Sequence, residues 1–212
     1  MTRGIKLNHS CQTGQHPHRD RGLDCYSTPP VAVDALLRVG TLPTYIWDPA
    51  AGHGPIVTVL REAGHRVIAS DIRHYTFELD FEADFLKETK APAGTEAIVT
   101  DPPYRLATEF VEHALKLCPR VIMLCRLAFL ESRRRTGILD SGMLAAIHVF
   151  KERLPFLHRD GWTGPRASSA IPFAWFVFWR DHNAPAIVDR ISWKDSEFLQ
   201  QQEYPPELSG GQ

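Results

Sequence analysis

The sequence predicts a single α/β domain built on a mostly parallel sheet, and three observations predict it. Short apolar runs alternate with helix-spaced amphipathic segments between residues 25 and 180. The runs are continuously apolar, the pattern of strands covered on both faces rather than on one. The chain has 212 residues, 43% of them hydrophobic and 23% charged. That size and balance suit one domain with a full core and exclude a disordered, collagen-like or coiled-coil chain.

The elements follow in order. Residues 1–24 lack an apolar period and read as a flexible arm. A helix is expected from Thr28 as N-cap, with Pro29 in the first helical position and Gly40 as the stop. Tyr45-Ile46-Trp47 precedes Asp48 as a first strand, and Ile56 to Ala63, closed by Gly64, fits a helix. His65 to Asp71 reads as a second strand. Residues 77–90 alternate apolar and acidic side chains and suggest a strand or an edge segment. Glu96 to Thr100 is a buried strand ending at Asp101, and Thr108 to Cys118 an amphipathic helix. Val121 to Cys125, Ile147 to Phe156 and Phe173 to Trp179 complete the strands. Beyond Arg180 the chain turns polar and Pro/Gln-rich, so 181–212 reads as a tail to a domain of residues 25–180.

Several classes are disfavoured. No apolar stretch approaches the roughly 18 residues that span a bilayer, and the polar N-terminus lacks the apolar core of a signal peptide. Cys11, Cys25, Cys118 and Cys125 show no CxxC spacing, which suggests free thiols in a reducing cytoplasm rather than disulfides. His9, Cys11, His16 and His18 match no zinc-ligand spacing, so no metal is expected. The net charge of -1 offers no strong field for nucleic acid, but it is a sum. Residues 120–166 hold nine Lys/Arg against four Asp/Glu, 9 - 4 = +5, whereas residues 71–112 hold four against ten, 4 - 10 = -6.

Three segments carry chemistry. Asp48-Pro49-Ala50-Ala51-Gly52-His53-Gly54 lies between a strand and a helix, where glycines admit a ligand to the backbone and helix N–H groups are free. It matches neither GxGxxG nor the P-loop. Asp71 ends the second strand about 20 residues later, where an acid can accept ribose hydroxyls; a solvated strand-end acid is the plain alternative. Asp101-Pro102-Pro103-Tyr104 follows a buried strand, so Asp101 and the Pro102 carbonyl form an acceptor pair with Tyr104 as a stacking surface. The carboxyl edge of an open α/β sheet is where ligands bind.

With DPAAGHG, the acid after the second strand and DPPY together, the chain resembles the S-adenosylmethionine-dependent amino-methyltransferases, specifically the N6-adenine DNA methyltransferases. Asp24 to Pro30 resembles their motif X, and Phe173 to Trp179 their aromatic late strand. The resemblance covers residues 24–180. It implies a Rossmann-like class I domain with a seven-stranded sheet, mostly parallel, its last strand antiparallel. It further implies that Tyr26, Thr28, Asp48, Ala50, Gly52 and Gly54 hold the cofactor's amino-acid end and its turn. Asp71 would hold the ribose, and Asp84 and Phe85 the adenine. Asp101, Pro102 and Tyr104 would bind and orient a target base that is flipped out or single-stranded.

Arg126, Arg133, Arg134, Arg159, Trp162 and Arg166 are candidate substrate contacts, with an ordinary solvated face as the plain alternative. About 46 residues separate Gly54 from Asp101 and 32 follow Arg180, little room for a target-recognition region. Limited recognition, a specificity partner or a homo-oligomer is therefore expected. An RNA base methyltransferase, a small-molecule or protein amino-methyltransferase and a catalytically inactive cofactor-binding subunit stay open as alternatives.

Overall fold

The computed structural model describes residues 27–40, 42–155 and 171–194. Within them eight strands form one sheet: β1 (Tyr45–Asp48), β2 (Arg66–Asp71), β3 (Phe81–Glu82), β4 (Ala97–Thr100), β5 (Arg120–Arg126), β6 (Leu144–Phe150), β7 (Phe173–Trp179) and β8 (Ile187–Ile191). Their order is β3-β2-β1-β4-β5-β7-β6-β8. The pairs β3-β2, β2-β1, β1-β4 and β4-β5 are parallel, β7 runs antiparallel to both β5 and β6, and β8 lies parallel to β6.

The expected seven strands are thus β1 to β7, with β7 the antiparallel one. An eighth strand extends the edge beyond β6. It comes from the segment assigned to the tail, so ordered structure reaches past Arg180 and the last strand in sequence is parallel to its neighbour. His148 on β6 and Asp189 on β8 are joined by a 2.7 Å contact between Nδ1 and Oδ1.

Helices cover both faces, which explains the uniformly apolar strands. On one face α1 (Pro30–Val39) and α2 (Pro55–Glu62) bury Ala32, Val33, Leu36, Ile56, Val57 and Leu60 against Ile46, Val67, Val99, Ile122, Leu124 and Trp175. On the other, α3 (Ala107–Leu117) buries Phe110, Val111, Ala114 and Leu115 against Trp47, Ile98, Val121, Met123, Cys125 and Phe176. Successive residues of β5 therefore serve opposite cores, as a period of two requires. Each large apolar side chain so buried contributes about 1.5–3 kcal/mol. The Trp175 indole also donates to the Ala32 carbonyl at 2.9 Å, tying β7 to α1.

Local departures have local reasons. Helix α1 begins at Pro30, with Pro29 at the N-cap position and no side-chain cap; the Thr28 hydroxyl is engaged elsewhere. The 77–90 segment yields only the two-residue β3 and a 3-10 turn at Phe85–Lys87. Strand β6 starts earlier and ends at Phe150. After β5 come 3-10 turns at Leu127–Leu130 and Arg133–Arg135 and a short α4 (Thr136–Leu139). Among the described residues no helix is long and apolar enough to cross a membrane.

Candidate active site

Strand β1 feeds α2 on one face, and β4 feeds α3 on the other. Their diverging connections open a crevice at the carboxyl edge, the switch point at which ligands enter such sheets. A cavity of about 600 Å³ lies there, lined by residues 49–53 of the turn, Asp71, Asp101, Asp84, Phe85 and Tyr104, whereas the predicted Asp48 and Gly54 are not among its lining residues. The structure thus brings together Thr28, Ala50, Gly52, Asp71, Asp84, Phe85, Asp101, Pro102 and Tyr104 from separate parts of the chain. Tyr26, Arg159, Trp162 and Arg166 lie outside the described residues.

Asp48 is wholly buried beneath the turn. Its Oδ1 accepts from the Ala50 N–H at 3.2 Å. The Thr100 hydroxyl is near enough to favour the charged carboxyl, yet Oδ2 and Thr100 Oγ1 have no partner in hydrogen-bonding geometry. Burial pushes this carboxyl up to about 7. A buried acceptor without a donor is costly, and Asp48 lies beneath the turn without lining the cavity.

Asp71 has an additional role. Its Oδ2 accepts from the Gly52 N–H at 2.9 Å and its Oδ1 from the Arg73 N–H at 3.2 Å. The acid at the end of β2 therefore holds the first glycine of the ligand turn in place. Burial raises its carboxyl, against those backbone hydrogen bonds. The Ile72 N–H also acts on this carboxylate, and a carboxylate's roughly four acceptor sites still leave room for a ligand hydroxyl. Gly52 and Gly54 both have positive φ, 54° and 81°. Gly54 serves packing rather than ligand approach: a Cβ there would overlap the Phe77 ring.

Asp84 caps the 3-10 turn through the Leu86 N–H at 3.3 Å and pairs with Lys87 at 2.9 Å. The Lys87 ammonium holds its carboxyl below the usual carboxylate range. Phe85 is a core side chain that also forms cavity wall, meeting the Trp47 and Phe110 rings at 5.3 and 4.8 Å.

Asp101 follows β4 directly. Thr28 Oγ1 donates to its Oδ2 at 2.7 Å. Asp101 is less enclosed than Asp48 and keeps part of its surface open. Burial, with the nearby Asp48 charge, pushes its carboxyl up to about 7; the Thr28 hydrogen bond and the Arg126 guanidinium act the other way. The following turn uses the Pro103 carbonyl, bonded by the Leu106 N–H at 2.8 Å, rather than that of Pro102. Tyr104 is half-buried, its ring 5.9 Å from that of Phe173 and 4.0 Å from the Arg126 guanidinium carbon.

Sequence reasoning missed three features: the Thr28–Asp101 bond, the hold of Asp71 on Gly52, and the cavity mouth formed by Ile72, His53 and Tyr75. The rings of the last two are tilted at 55°, their centroids 5.0 Å apart. A hydroxyl beside two prolines was a usable signal for Thr28, but it pointed to a helix cap.

Of the basic candidates, Arg133 and Arg134 are exposed. Their neighbour Arg135 is structural. It donates to Thr108 Oγ1 and to the carbonyls of Ala128, Phe129 and Glu131, and lies 4.6 Å over the Phe129 ring. The Thr108 bond brings this turn to the start of α3, four residues after Tyr104.

These features define an α/β protein with an open, mostly parallel sheet and a cavity at its carboxyl edge. No protein-family model matches the chain, and no curated protein matches its sequence. Solved structures do share its fold. A Pyrococcus horikoshii protein proposed to be an RNA methyltransferase gives a TM-score of 0.51 at 13% identity, over 74% of this chain and 87% of its own. The modification subunit of a proposed type I restriction enzyme from Vibrio vulnificus gives 0.54 at 12% identity, over 91% of this chain and 51% of that subunit. A Lactococcus lactis protein proposed to be a hemolysin gives 0.53 at 11% identity, over 76% and 91%. At such identities the likeness is one of fold.

Proposed function

We propose that the chain is an S-adenosylmethionine-dependent methyltransferase acting on the N6 amino group of adenine in DNA. The observation that carries this reading is that Asp101-Pro102-Pro103-Tyr104 and residues 49–53 of the glycine turn line one cavity. The residues present fit the cofactor. The Ala50–Gly52 backbone leaves room for its chain on the cavity wall, and Asp71, which also lines the cavity, can accept from a ribose hydroxyl. The cofactor would supply an already electrophilic methyl group, so no metal or protein nucleophile is required.

The protein's own task is then positioning. An aromatic amino nitrogen is a weak nucleophile because its lone pair delocalises into the ring. Asp101 Oδ1 and the Pro102 carbonyl can accept its two N–H groups, drawing the nitrogen toward a pyramidal shape and orienting it. Thr28 fixes the other carboxylate oxygen, so the acceptor does not rotate. Tyr104 offers a ring face for a base taken out of its stack, a contact worth about 1–3 kcal/mol.

RNA is the second reading. Between β1 and β4 the chain builds only α2, β2, β3 and a 3-10 turn, and a structured RNA can supply specificity that such a compact domain does not. Labelled cofactor presented with duplex DNA, single-stranded DNA, RNA and protein, followed by nucleoside analysis, tests both. N6-methyladenine in DNA is expected. Label in RNA alone would replace the substrate, and no transfer to any of the four would refute the enzyme.

A further inference from the structure

Arg126 is a half-buried arginine at the cavity edge that no hydrogen bond holds. Other arginines are secured by hydrogen bonds, half-buried or exposed, although half-buried Arg120 rests on a ring too, that of Trp179. Arg38 reaches the Ser192 carbonyl, Arg61 the Val67 carbonyl, Arg180 the Leu115 carbonyl, and Arg135 makes four such bonds. Among the described residues the Arg126 guanidinium has neither a hydrogen bond nor an ion pair, and its Nε is buried without a partner. It lies over the Tyr104 ring, with Cζ 4.0 Å from the centroid, and its charge also acts on Asp101.

The surroundings give that contact meaning. Arg126 ends β5, opposite Phe173 at the start of β7, and the Leu127 N–H holds the Pro172 carbonyl at 2.9 Å. Sheet order β4-β5-β7 sets Asp101, Arg126 and Phe173 in one row along the carboxyl edge, and Tyr104 touches both of the last two. A guanidinium is planar, weakly hydrated and stacks on aromatic faces much as a nucleobase does. It also pairs well with phosphate.

We propose that Arg126 is a place-holder for the target base, stacked on Tyr104 in the free protein and moved onto the nucleic-acid backbone when a base takes that ring. The inference rests on the nucleic-acid reading above. Its unpaired Nε makes the resting position poorly held, and a phosphate beside the extruded nucleotide satisfies the donors that Tyr104 cannot. Arg126 is thus a positioning residue whose phosphate contact depends on a base being present.

Salt dependence separates this from an ordinary basic contact. Binding of a labelled oligodeoxyadenylate and of an abasic strand of equal length is measured over a salt series with S-adenosylmethionine present. A phosphate contact on a single strand adds about 0.7 to the slope of log K against log salt. On oligodeoxyadenylate, Arg126→Gln is expected to have a shallower slope than wild type by about 0.7. On the abasic strand the two slopes coincide. Arg126→Lys, whose ammonium is not retained by the ring, is expected to match wild type on oligodeoxyadenylate and to be steeper by about 0.7 on the abasic strand.

Equal wild-type and Arg126→Gln slopes on oligodeoxyadenylate would overturn the proposal. So would an equal difference on both strands, which marks a contact indifferent to the base. The lysine variant decides alone if the glutamine variant does not fold: a wild-type slope on the abasic strand overturns the idea. Methylation with unchanged slopes sinks this inference only. The expected slopes without methylation of any nucleic acid sink the catalytic reading only.

Discussion

The Thr28 hydroxyl donates to Asp101 Oδ2 at 2.7 Å, joining the entry of α1 to the end of β4 across 73 residues. Asp101 thereby has one oxygen committed to the protein and one available to a ligand. The bond favours the charged carboxyl, because a carboxylate accepts and a carboxylic acid accepts less well.

Thr28→Val removes the donor and keeps the shape. Without it the Asp101 pKa rises further above the usual range, so the acid limb of the methyl-transfer rate profile is expected to move to higher pH. The maximal rate is expected to fall about tenfold, equivalent to about 1.4 kcal/mol. Thr28→Ser, which keeps the hydroxyl, should restore the limb. An unshifted limb in Thr28→Val would show that the bond is only structural.

What was legible in the sequence, and what was not, divides along a physical line. Asp101, Pro102 and Tyr104 are contiguous and follow a buried strand, so pattern alone sets them at a sheet edge. Thr28 and Arg126 reach the same site through α1 and β5, and nothing in their flanking residues reports that proximity. Strand β8 was hidden for another reason. It has one neighbour and four of its five residues are exposed or half-buried, so it lacks the apolar run that marked β4 and β5. The alternation of residues 77–90 had the opposite effect. It suggested an extended strand, but the exposed Asp80 accepts the Ala69 N–H at 2.7 Å and an Arg61 N–H at 2.9 Å, and only Phe81 and Glu82 pair.

Asp48 should set a pH dependence of stability. Its carboxyl titrates at about 7 in the fold against 3.8 as a free group, chiefly because burial disfavours the charge. A raised acid opposes folding once the unfolded chain ionises. Its contribution is therefore least unfavourable below about pH 4 and worsens until about pH 7. Asp48→Asn removes that titration. Denaturant unfolding of both proteins across this range should show the variant gaining on wild type as pH rises, by on the order of a few kcal/mol. A pH-independent stability difference would argue against a buried, titrating Asp48.

Gly54 can be compared with Gly64. Both have positive φ, 81° and 93°, so alanine at either is strained by about 1 kcal/mol. A Cβ on Gly64 meets nothing, whereas one on Gly54 overlaps the Phe77 ring. Gly54→Ala is expected to lose at least about 2 kcal/mol more than Gly64→Ala, since overpacking adds roughly 1–3 kcal/mol to the backbone strain. In the Phe77→Ala background the excess should largely vanish, leaving a clear coupling energy in the double-mutant cycle. Equal losses for the two single variants would mean that Phe77 does not determine the glycine.

The triple arginine should divide into two functions when its members are replaced separately. Arg135 fixes the turn through Thr108, three carbonyls and the Phe129 ring. The strained Ser132, at φ 97°, makes the reversal before it and caps the Arg134 N–H at 3.3 Å. Arg135→Ala is therefore expected to lower the melting temperature, because removing its hydrogen bonds to the carbonyls and its stacking on the ring costs about 1–3 kcal/mol. Arg133 and Arg134 are exposed on the same turn, which the Thr108 bond sets beside the start of α3. Replacing both by alanine should leave the melting temperature within a degree or two, since surface changes cost about 0.5 kcal/mol or less. Their effect should appear in nucleic-acid binding, as a salt slope shallower by about 1.8 on duplex DNA when two phosphates are no longer neutralised. If the double variant binds duplex with an unchanged slope, the exposed pair is an ordinary solvated surface. The approach of the nucleic acid must then be sought on another face of the domain.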